Sequence, residues 1–399
     1  MSILADQWGI HPQHVWLRGH RPEQPVHYDE RLGTWQVYGY PEALEVLSDP
    51  KTFSSDTARL FPVEIDESVI EGNMVQTDPP LHGKLRKIVS HAFTPKSVAD
   101  LAPRIDRLTH ELLDAVAGQD RIELIADLAY PLPVTVIAEL LGVPSSDRAM
   151  FKEWVDKLFE TMHQFSLISR REEQERNLQA QMEQNRVLND YIHEHAAERR
   201  RKPRQDLLTK IVEAKVDGER LTDIQVMNFA SILLIAGYHT ITMMLGNTML
   251  CLDRYPDQAA RVRADRSMVP TAIEESLRFL TPTALIYRVT TTEVEIAGQR
   301  IPANRMLAVW AAAANRDQRQ FADPEVFDPA RHPNPHLALG RGIHFCLGAT
   351  LARLEGRIAL NILLDRFPEL RTLPDDPPVF LPSPDMTGLR ALPLRAGRP

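Results

Sequence analysis

A cysteine flanked by glycines and a histidine is the part of the sequence best suited to chemistry. Cys346 lies in the segment 339–348, Leu-Gly-Arg-Gly-Ile-His-Phe-Cys-Leu-Gly. The residues that follow are predicted to form a helix, because apolar side chains recur every three or four positions at Leu347, Leu351, Leu354, Ile358 and Ile362. Free N–H groups at a helix start favour a thiolate over a thiol. From these residues alone, Cys346 could be a nucleophile, a metal ligand or an inert core sulfur.

The composition is that of a soluble globular protein. The chain has 399 residues, 43% hydrophobic and 25% charged, with a net charge of −8. Its two cysteines, Cys251 and Cys346, argue against a disulfide scaffold and structural zinc, and they fit a reducing compartment. No apolar run has the length of a signal peptide or of a membrane span. We therefore expect a cytoplasmic monomer that binds neither nucleic acid nor membrane.

The periodicity predicts a mainly α protein with a small β region. Residues 26–39 and 284–309 are predicted to contain short strands. Residues 96–184 have a helical pattern that we expect to break at Gly118, Pro131, Pro133, Gly142 and Pro144. The basic run at 199–204 is interpreted as the solvated end of a helix.

One strongly apolar helix is predicted between a capping box at Thr222–Gln225 and Arg254. It lacks a polar face, so it should lie at the centre of the protein. Gly237 in its interior costs about 1 kcal/mol relative to alanine. Beside Thr240, this glycine predicts a local opening of the helix where a small ligand sits.

The segment around Cys346 resembles the cysteine loop of cytochrome P450 haem-thiolate monooxygenases, Phe-Gly-x-Gly-x-His/Arg-x-Cys-x-Gly, with Leu339 in place of the phenylalanine. The resemblance implies the family's fold, a helix-rich triangular prism in which haem b lies between a long central helix and the cysteine loop. It also implies a single domain spanning 1–399. Its β-rich portion is expected at about 26–39, 284–309 and the C-terminal strands.

The resemblance assigns residues to the haem. Cys346 would be the metal ligand. The pair His82 and Arg86 looks like the family's His-x-x-x-Arg propionate site, and Arg288 resembles the arginine at the other propionate. Further cofactor contacts are expected at Ala236, His344 and Gly348.

The segment from Ala236 to Thr240 resembles the family's oxygen-binding motif, Ala-Gly-x-Asp/Glu-Thr. It implies catalytic roles for Gly237, His239 and Thr240, with Thr240 steering protons. His239 stands where the family usually has an acid, and imidazole can also relay protons. A structural triad of Glu275, Arg278 and Arg331 is expected from the Glu-x-x-Arg motif and a later arginine.

The resemblance implies a monooxygenase that inserts one oxygen atom from O2 into a hydrophobic molecule such as a fatty acid, terpenoid, steroid or macrolide. Electrons would come from a separate ferredoxin or flavodoxin-type donor with its reductase. The substrate pocket is expected to involve Leu60, Phe61, Val75, Leu233, Ala236, Thr283, Leu285, Ile286 and Met386.

Other functions stay open at this point. A non-catalytic haem binder or sensor would keep the haem ligands but would not need the Gly237–Thr240 groove. A peroxide-driven peroxygenase is an alternative because His239 replaces the usual acid. A cysteine hydrolase built on Cys346 would explain neither the Glu275 triad nor the long apolar helix.

Overall fold

Helices dominate the computed structural model, which describes residues 4–60, 71–147, 149–151, 153–154, 157 and 171–397. The predicted mainly α fold with a small β region is confirmed. The helices are α1 Tyr40–Ser48, α2 Leu81–Ser90, α3 Pro95–Ala99, α4 Ala102–Asp114, α5 Pro131–Leu141, α6 Arg171–Arg201, α7 Leu207–Glu213, α8 Asp223–Arg254, α9 Pro256–Ala264, α10 Val269–Phe279, α11 Ala311–Ala314 and α12 Ala349–Arg366. The predicted pocket residue Phe61 lies outside the described residues.

The strands are short and form small sheets. They are β1 Val26–Asp29, β2 Thr34–Val37, β3 Phe53–Ser54, β4 Arg121–Glu123, β5 Lys215–Val216, β6 Glu219–Arg220, β7 Ile286–Thr290, β8 Val294–Ile296, β9 Gln299–Ile301, β10 Met306–Val309, β11 Leu370–Thr372, β12 Val379–Phe380, β13 Leu389–Ala391 and β14 Pro393–Ala396. The main sheet has the order β1-β2-β10-β7-β3, and its β2–β10 pair is parallel. This sheet therefore joins the N-terminal hairpin to strands more than 240 positions later in the sequence.

The predicted central helix is confirmed as α8. Thr222 caps it, and the Thr222 and Gln225 side chains each accept a hydrogen bond from the other's backbone N–H. Among the described helices, α8 alone is long and apolar enough to cross a membrane. Its most apolar window is 72% buried within the protein. It is therefore a core helix, and it packs against α5, α6, α10 and α12.

Two sequence predictions about helix ends are wrong in part. Pro131 does begin a new helix, as an expected break requires, but Pro133 continues that helix. Both prolines lie in the first turn of α5, where a missing N–H leaves no hydrogen bond unmade. Arg199 is not solvated, because its side chain is only 1% exposed. Its guanidinium donates to Asp206 at 2.9 Å and to the Gly142 carbonyl at 2.7 Å, so it joins the end of α6 to two other segments.

A buried carboxylate joins α10 to the loop that leads to Cys346. Glu275 is fully buried and accepts two hydrogen bonds from Arg278, at 2.7 and 2.8 Å. Arg331 and the Asn334 amide each donate to it at 3.1 Å, and the Asp328 backbone N–H donates at 3.0 Å. The structure thus brings together the three residues of the predicted triad.

We expect Glu275→Ala to destabilise the protein by about 3–5 kcal/mol, because it leaves the Arg278 guanidinium buried without its carboxylate. Urea unfolding measures the change. The matched control is Glu293→Ala, which removes a carboxylate that is 62% exposed and lies 3.9 Å from Arg300. Its expected cost is below about 1 kcal/mol. Equal costs for the two variants would contradict a stabilising role for the buried network.

A second buried carboxylate has no such network. Glu355 on α12 is 1% exposed, and neither of its oxygens has a hydrogen-bond partner among the described residues. Burial raises the pKa of this carboxyl group to about 8. At neutral pH the folded protein therefore holds the Glu355 proton, while the unfolded chain releases it.

This difference predicts that Glu355→Gln raises the free energy of unfolding, by an amount that depends on pH. Below the ordinary carboxyl pKa of 4.5, folded and unfolded chains both hold the proton. Between pH 4.5 and about 8, only the folded chain holds the proton. The free energy of unfolding of the parent protein therefore falls as pH rises through this range. The variant should therefore gain about 4 kcal/mol relative to the parent at pH 8 and little at pH 5. Urea unfolding at both pH values measures this, with exposed Glu30→Gln as the control. A gain that is independent of pH would contradict the assignment.

Candidate active site

A cavity of about 380 Å³ lies between α8 and the cysteine loop. Cys346 lines it, together with Ala236 and Thr240 of α8. A third wall is the segment 282–288, which enters β7. The remaining lining is largely apolar and includes Leu47, Val75, Met244, Leu277, Ala338, Leu339 and Ala352. The Cys346 sulfur and the Thr240 hydroxyl therefore line the same cavity, although they belong to different structural elements.

The cysteine loop is folded tightly enough to hold the sulfur in place. The Cys346 N–H donates to the Leu339 carbonyl at 2.8 Å, which closes the loop. Gly340 and Gly342 have φ values of 68° and 62°, a region that glycine adopts without strain. A Cβ on Gly342 would also lie only 3.0 Å from the Leu47 carbonyl oxygen. Glycine is therefore required at position 342 for two independent reasons.

The charge state of Cys346 depends on opposing effects. Burial raises the pKa of its thiol, while the N–H groups of Gly348 and Ala349 and the positive charges of Arg86 and Arg353 lower it. The net direction is upward, so the predicted lowering by the helix start is wrong for the chain by itself. Removal of water around the sulfur outweighs the helix end. A metal ion bound to the sulfur would reverse this, because a coordinating thiol loses its proton.

The cavity-facing side of α8 follows a spacing of four residues. Ala236, Thr240 and Met244 all line the cavity. Residues four positions apart share one face of a helix, so these three form a continuous strip. The Thr240 hydroxyl donates to the Ala236 carbonyl at 3.3 Å, a long hydrogen bond. Its Oγ1 can therefore change partner at low cost.

The neighbouring motif residues face other directions. α8 is continuous through Gly237, so the predicted local opening at this glycine is wrong. A Cβ there would lie 2.9 Å from Ile137, and the glycine instead allows α5 to approach α8 closely. His239 is 1% exposed and does not line the cavity. Successive helix residues point about 100° apart, so His239 lies off the strip that contains Thr240, and its ring centroid is 5.9 Å from that of Tyr238.

Basic side chains border the cavity near the cysteine loop. Arg288 is 7% exposed and lines the cavity, and one of its nitrogens donates to the Tyr287 carbonyl at 2.7 Å. Burial lowers the pKa of Arg288 to about 10, which still leaves it charged at neutral pH. No carboxylate of the described residues lies within ion-pair distance of it. This buried cation therefore has room for an anionic partner.

Two histidines extend this basic border. The His82 and His344 rings are 4.3 Å apart, and His344 Nε2 lies 2.8 Å from the Ser55 hydroxyl. His82 Nε2 is buried without a hydrogen-bond partner among the described residues. Burial, followed by the charge of Arg288, lowers the pKa of His344 to about 3, so its ring is neutral at pH 7. His82 therefore offers an unused polar atom beside Arg288.

Arg86 contacts the protein itself. Its guanidinium donates to the carbonyls of Ile343 and Phe345, at 3.1 and 2.7 Å. Both carbonyls belong to the cysteine loop, so Arg86 stabilises the loop from the side of α2. Gly348 is the N-cap residue of α12, two positions after the cysteine, and does not line the cavity.

The predicted substrate-pocket residues divide into two groups. Val75, Ala236, Thr283, Leu285 and Ile286 line the cavity. Leu60, Leu233 and Met386 do not, which corrects the prediction. Leu233 is buried in the main hydrophobic core, and Leu60 is half-buried in a 3-10 turn. The Met386 backbone pairs with Thr283 and supports the pocket wall from behind.

Sequence reasoning missed several lining residues. Met244 could have been found, because it lies one further turn along α8 from Thr240. Ser55 carries no such signal. It lies just after β3 and reaches His344 across 289 positions of sequence, a pairing that only the folded chain reveals.

Comparison with known protein families decides among the functions that this geometry allows. The Cytochrome P450 family model matches residues 28–395. The chain belongs to the cytochrome P450 family. It therefore uses haem b with a thiolate ligand, and it is a monooxygenase, as the relatives' names state. The cysteine hydrolase is excluded.

Similar proteins are bacterial P450s of secondary metabolism. HmtN, a post-tailoring hydroxylase involved in himastatin biosynthesis, has a solved structure that is 57% identical and matches with a TM-score of 0.88 over 98% of this chain and 99% of that one. Cyclomarin C epoxidase CymV of Salinispora arenicola is 40% identical over 95% of this chain and 94% of its own. Erythromycin C-12 hydroxylase of Saccharopolyspora erythraea is also 40% identical, over 96% and 94%. The predicted P450 fold is confirmed.

The residues around the cavity fit a haem. Among the described residues, Cys346 is the one cysteine that lines the cavity, and these residues contain no cluster of three or more potential metal ligands. This suits an iron that the porphyrin already holds from four sides. Arg288 and the free Nε2 of His82 suit the carboxylates of propionates. The cavity is apolar elsewhere, as a porphyrin face requires.

We expect Arg288→Met to weaken haem retention, because it removes the buried cation while keeping an unbranched apolar side chain. The measurement is the haem-to-protein ratio after purification and the rate of haem transfer to apomyoglobin, which should rise about tenfold or more. Exposed Arg305→Met, just before β10, is the matched control and should retain haem normally. Equal haem loss from both variants would contradict a specific role for Arg288.

Proposed function

We propose that this P450 is a tailoring monooxygenase that inserts one atom of O2 into a large hydrophobic secondary metabolite. The observation that supports it most is the shared cavity, in which the Cys346 sulfur and the Thr240 hydroxyl lie on different walls. A non-catalytic haem binder would need the sulfur but not a hydroxyl-bearing strip on the central helix. The haem would supply oxygen activation, and electron donation from the thiolate favours O–O cleavage.

The chain's own residues would position the haem and control protons. Cys346 would hold the iron, and Arg288 with His82 would bind the propionates. Arg86 would keep the loop closed through its two carbonyl contacts. Thr240 Oγ1 would accept and pass on a proton, since the hydrogen bond that it donates to the Ala236 carbonyl is long, at 3.3 Å. Gly237 and His239 would act through the packing of α8, because neither lines the cavity.

The substrate class rests on the relatives and on the lining. The relatives' names refer to himastatin, cyclomarin C and erythromycin. The cavity walls are mostly apolar and include Leu285, Ile286 and Val75. Burial of apolar surface would therefore provide most of the binding energy. Among the expected substrates, the similarity to the erythromycin hydroxylase supports a macrolide-like metabolite.

Electrons would reach the haem from a ferredoxin or flavodoxin-type protein with its reductase, because bacterial P450s use a separate donor. We further propose a cytoplasmic monomer. The division of a single domain into a helical and a β-rich portion stays a prediction.

Thr240→Ala tests the proposed reaction. With a surrogate ferredoxin and reductase, and a panel of macrolides as substrates, the variant should retain haem but lose coupling. The product formed per NADH consumed should fall about tenfold or more, with the electrons recovered as hydrogen peroxide. The control is Thr242→Ala, because the Thr242 hydroxyl is buried and donates to Tyr238 away from the cavity. Unchanged coupling in Thr240→Ala would mean that protons arrive by another route.

The same assay separates the peroxygenase alternative. Hydrogen peroxide replaces O2, NADH and the redox proteins. Product formed faster with peroxide than with the complete electron-transfer chain would favour a peroxygenase. Haem binding without product under either condition would favour a sensor.

A further inference from the structure

We propose that Asn247 and His14, which do not line the cavity, are positioning residues that set the width of the active site. Both hold the C-terminal turn at 384–388, and this turn holds the cavity wall at 282–288. The inference deepens the proposed function, since it concerns which ligands the same cavity admits.

The wall and the turn are joined by backbone hydrogen bonds. The N–H groups of Ala284 and Leu285 both donate to the Asp385 carbonyl, at 2.8 and 3.2 Å. In the other direction, the Thr387 N–H donates to the Pro282 carbonyl at 2.8 Å. Six residues of the wall line the cavity: Pro282, Thr283, Leu285, Ile286, Tyr287 and Arg288. A shift of the turn therefore moves side chains that face the substrate.

Asn247 connects both segments to the central helix. Its side-chain nitrogen donates to the Leu280 carbonyl and to the Thr387 carbonyl, each at 2.9 Å. The first lies just before the wall and the second lies in the turn. Asn247 is fully buried, so water cannot replace either hydrogen bond. One amide group thus fixes the distance from α8 to two segments at once.

His14 holds the turn from the opposite side. Its Nε2 lies 2.8 Å from the Pro384 carbonyl, and its Nδ1 lies 3.5 Å from the Thr387 hydroxyl. Because a carbonyl can only accept, Nε2 must carry the proton and Nδ1 must be the acceptor. Burial lowers the pKa of His14 to about 4, so this neutral ring persists at physiological pH. Packing against Trp16 and Trp310 fixes the ring plane.

Two buried residues from distant parts of the chain, Asn247 and His14, thus hold the turn in place. Loss of either would leave buried carbonyl groups without a donor, and the turn could recover hydrogen bonds only by moving. Such a movement changes the space available to a bulky ligand. It leaves the Cys346 side of the cavity in place, because none of these hydrogen bonds involves the cysteine loop.

Two variants remove the donors with little change of shape. Asn247→Asp removes the amide N–H groups, and His14→Phe keeps a ring but loses its N–H. We expect hydrogen exchange at the amides of 283–287 and 385–388 to become at least about tenfold faster in each variant, while the cysteine loop keeps the parental rate. This measurement needs no substrate and no turnover.

Optical titration of the holoenzyme with two azoles tests the width of the cavity. Imidazole is small and reports access to the iron, while clotrimazole is bulky and also contacts the walls. Both variants should bind imidazole with a parental dissociation constant and should change that of clotrimazole about tenfold in the same direction. The control is Thr248→Val. This hydroxyl is buried beside Asn247 but donates only within its own helix, to Met244 at 2.7 Å.

The outcomes distinguish the proposal from general damage. Equal effects of Thr248→Val and Asn247→Asp on exchange or on clotrimazole binding would overturn it, as would a parental clotrimazole constant in both variants. If Asn247→Asp does not fold, His14→Phe alone decides. Loss of the proposed monooxygenase function would leave the exchange measurements unaffected, so the two ideas can fail separately.

Discussion

The carboxylate of Glu275 is the interaction on which the active site depends. The sulfur of Cys346 must face α8, but the segment before it is an irregular loop with little secondary structure of its own. Glu275 fixes the start of this loop to α10 through a carboxylate, two guanidiniums, an amide and a backbone N–H. Arg86 then fixes its end. Gly340 and Gly342 turn the chain between these two anchors, and Cys346 directly follows the second one.

Much of this arrangement could be predicted from sequence, because several motifs act over short distances. The capping box at Thr222 starts α8, and a spacing of four residues brings Ala236 and Thr240 to one face. The Glu275 and Arg278 pair is also local, one turn apart on α10. In each case the physical cause is contained within a few residues of the chain.

The errors arose where tertiary packing decides. Gly237 was expected to open α8, but a close approach by Ile137 explains the absence of a side chain. The motif position of His239 suggested the cavity, while the helical rotation turns it into the core. Burial outweighed the helix start at Cys346. The role of Asn247 could not be predicted from the sequence, since its hydrogen-bond partners are 33 and 140 positions away.

The pairing of β2 with β10 has a consequence for biosynthesis. The Gln36 side chain in β2 accepts a hydrogen bond from Trp310, 274 positions later. His14 contacts Thr387, 373 positions later. Contacts between residues so far apart in sequence form only after the long intervening segment has closed into a loop. The N-terminal hairpin can therefore pair with β10 only after residue 309 has been translated, and His14 can meet its turn only near the end of synthesis. Haem can acquire its complete enclosure only at the end of synthesis, so a truncated product is expected to emerge without a finished pocket.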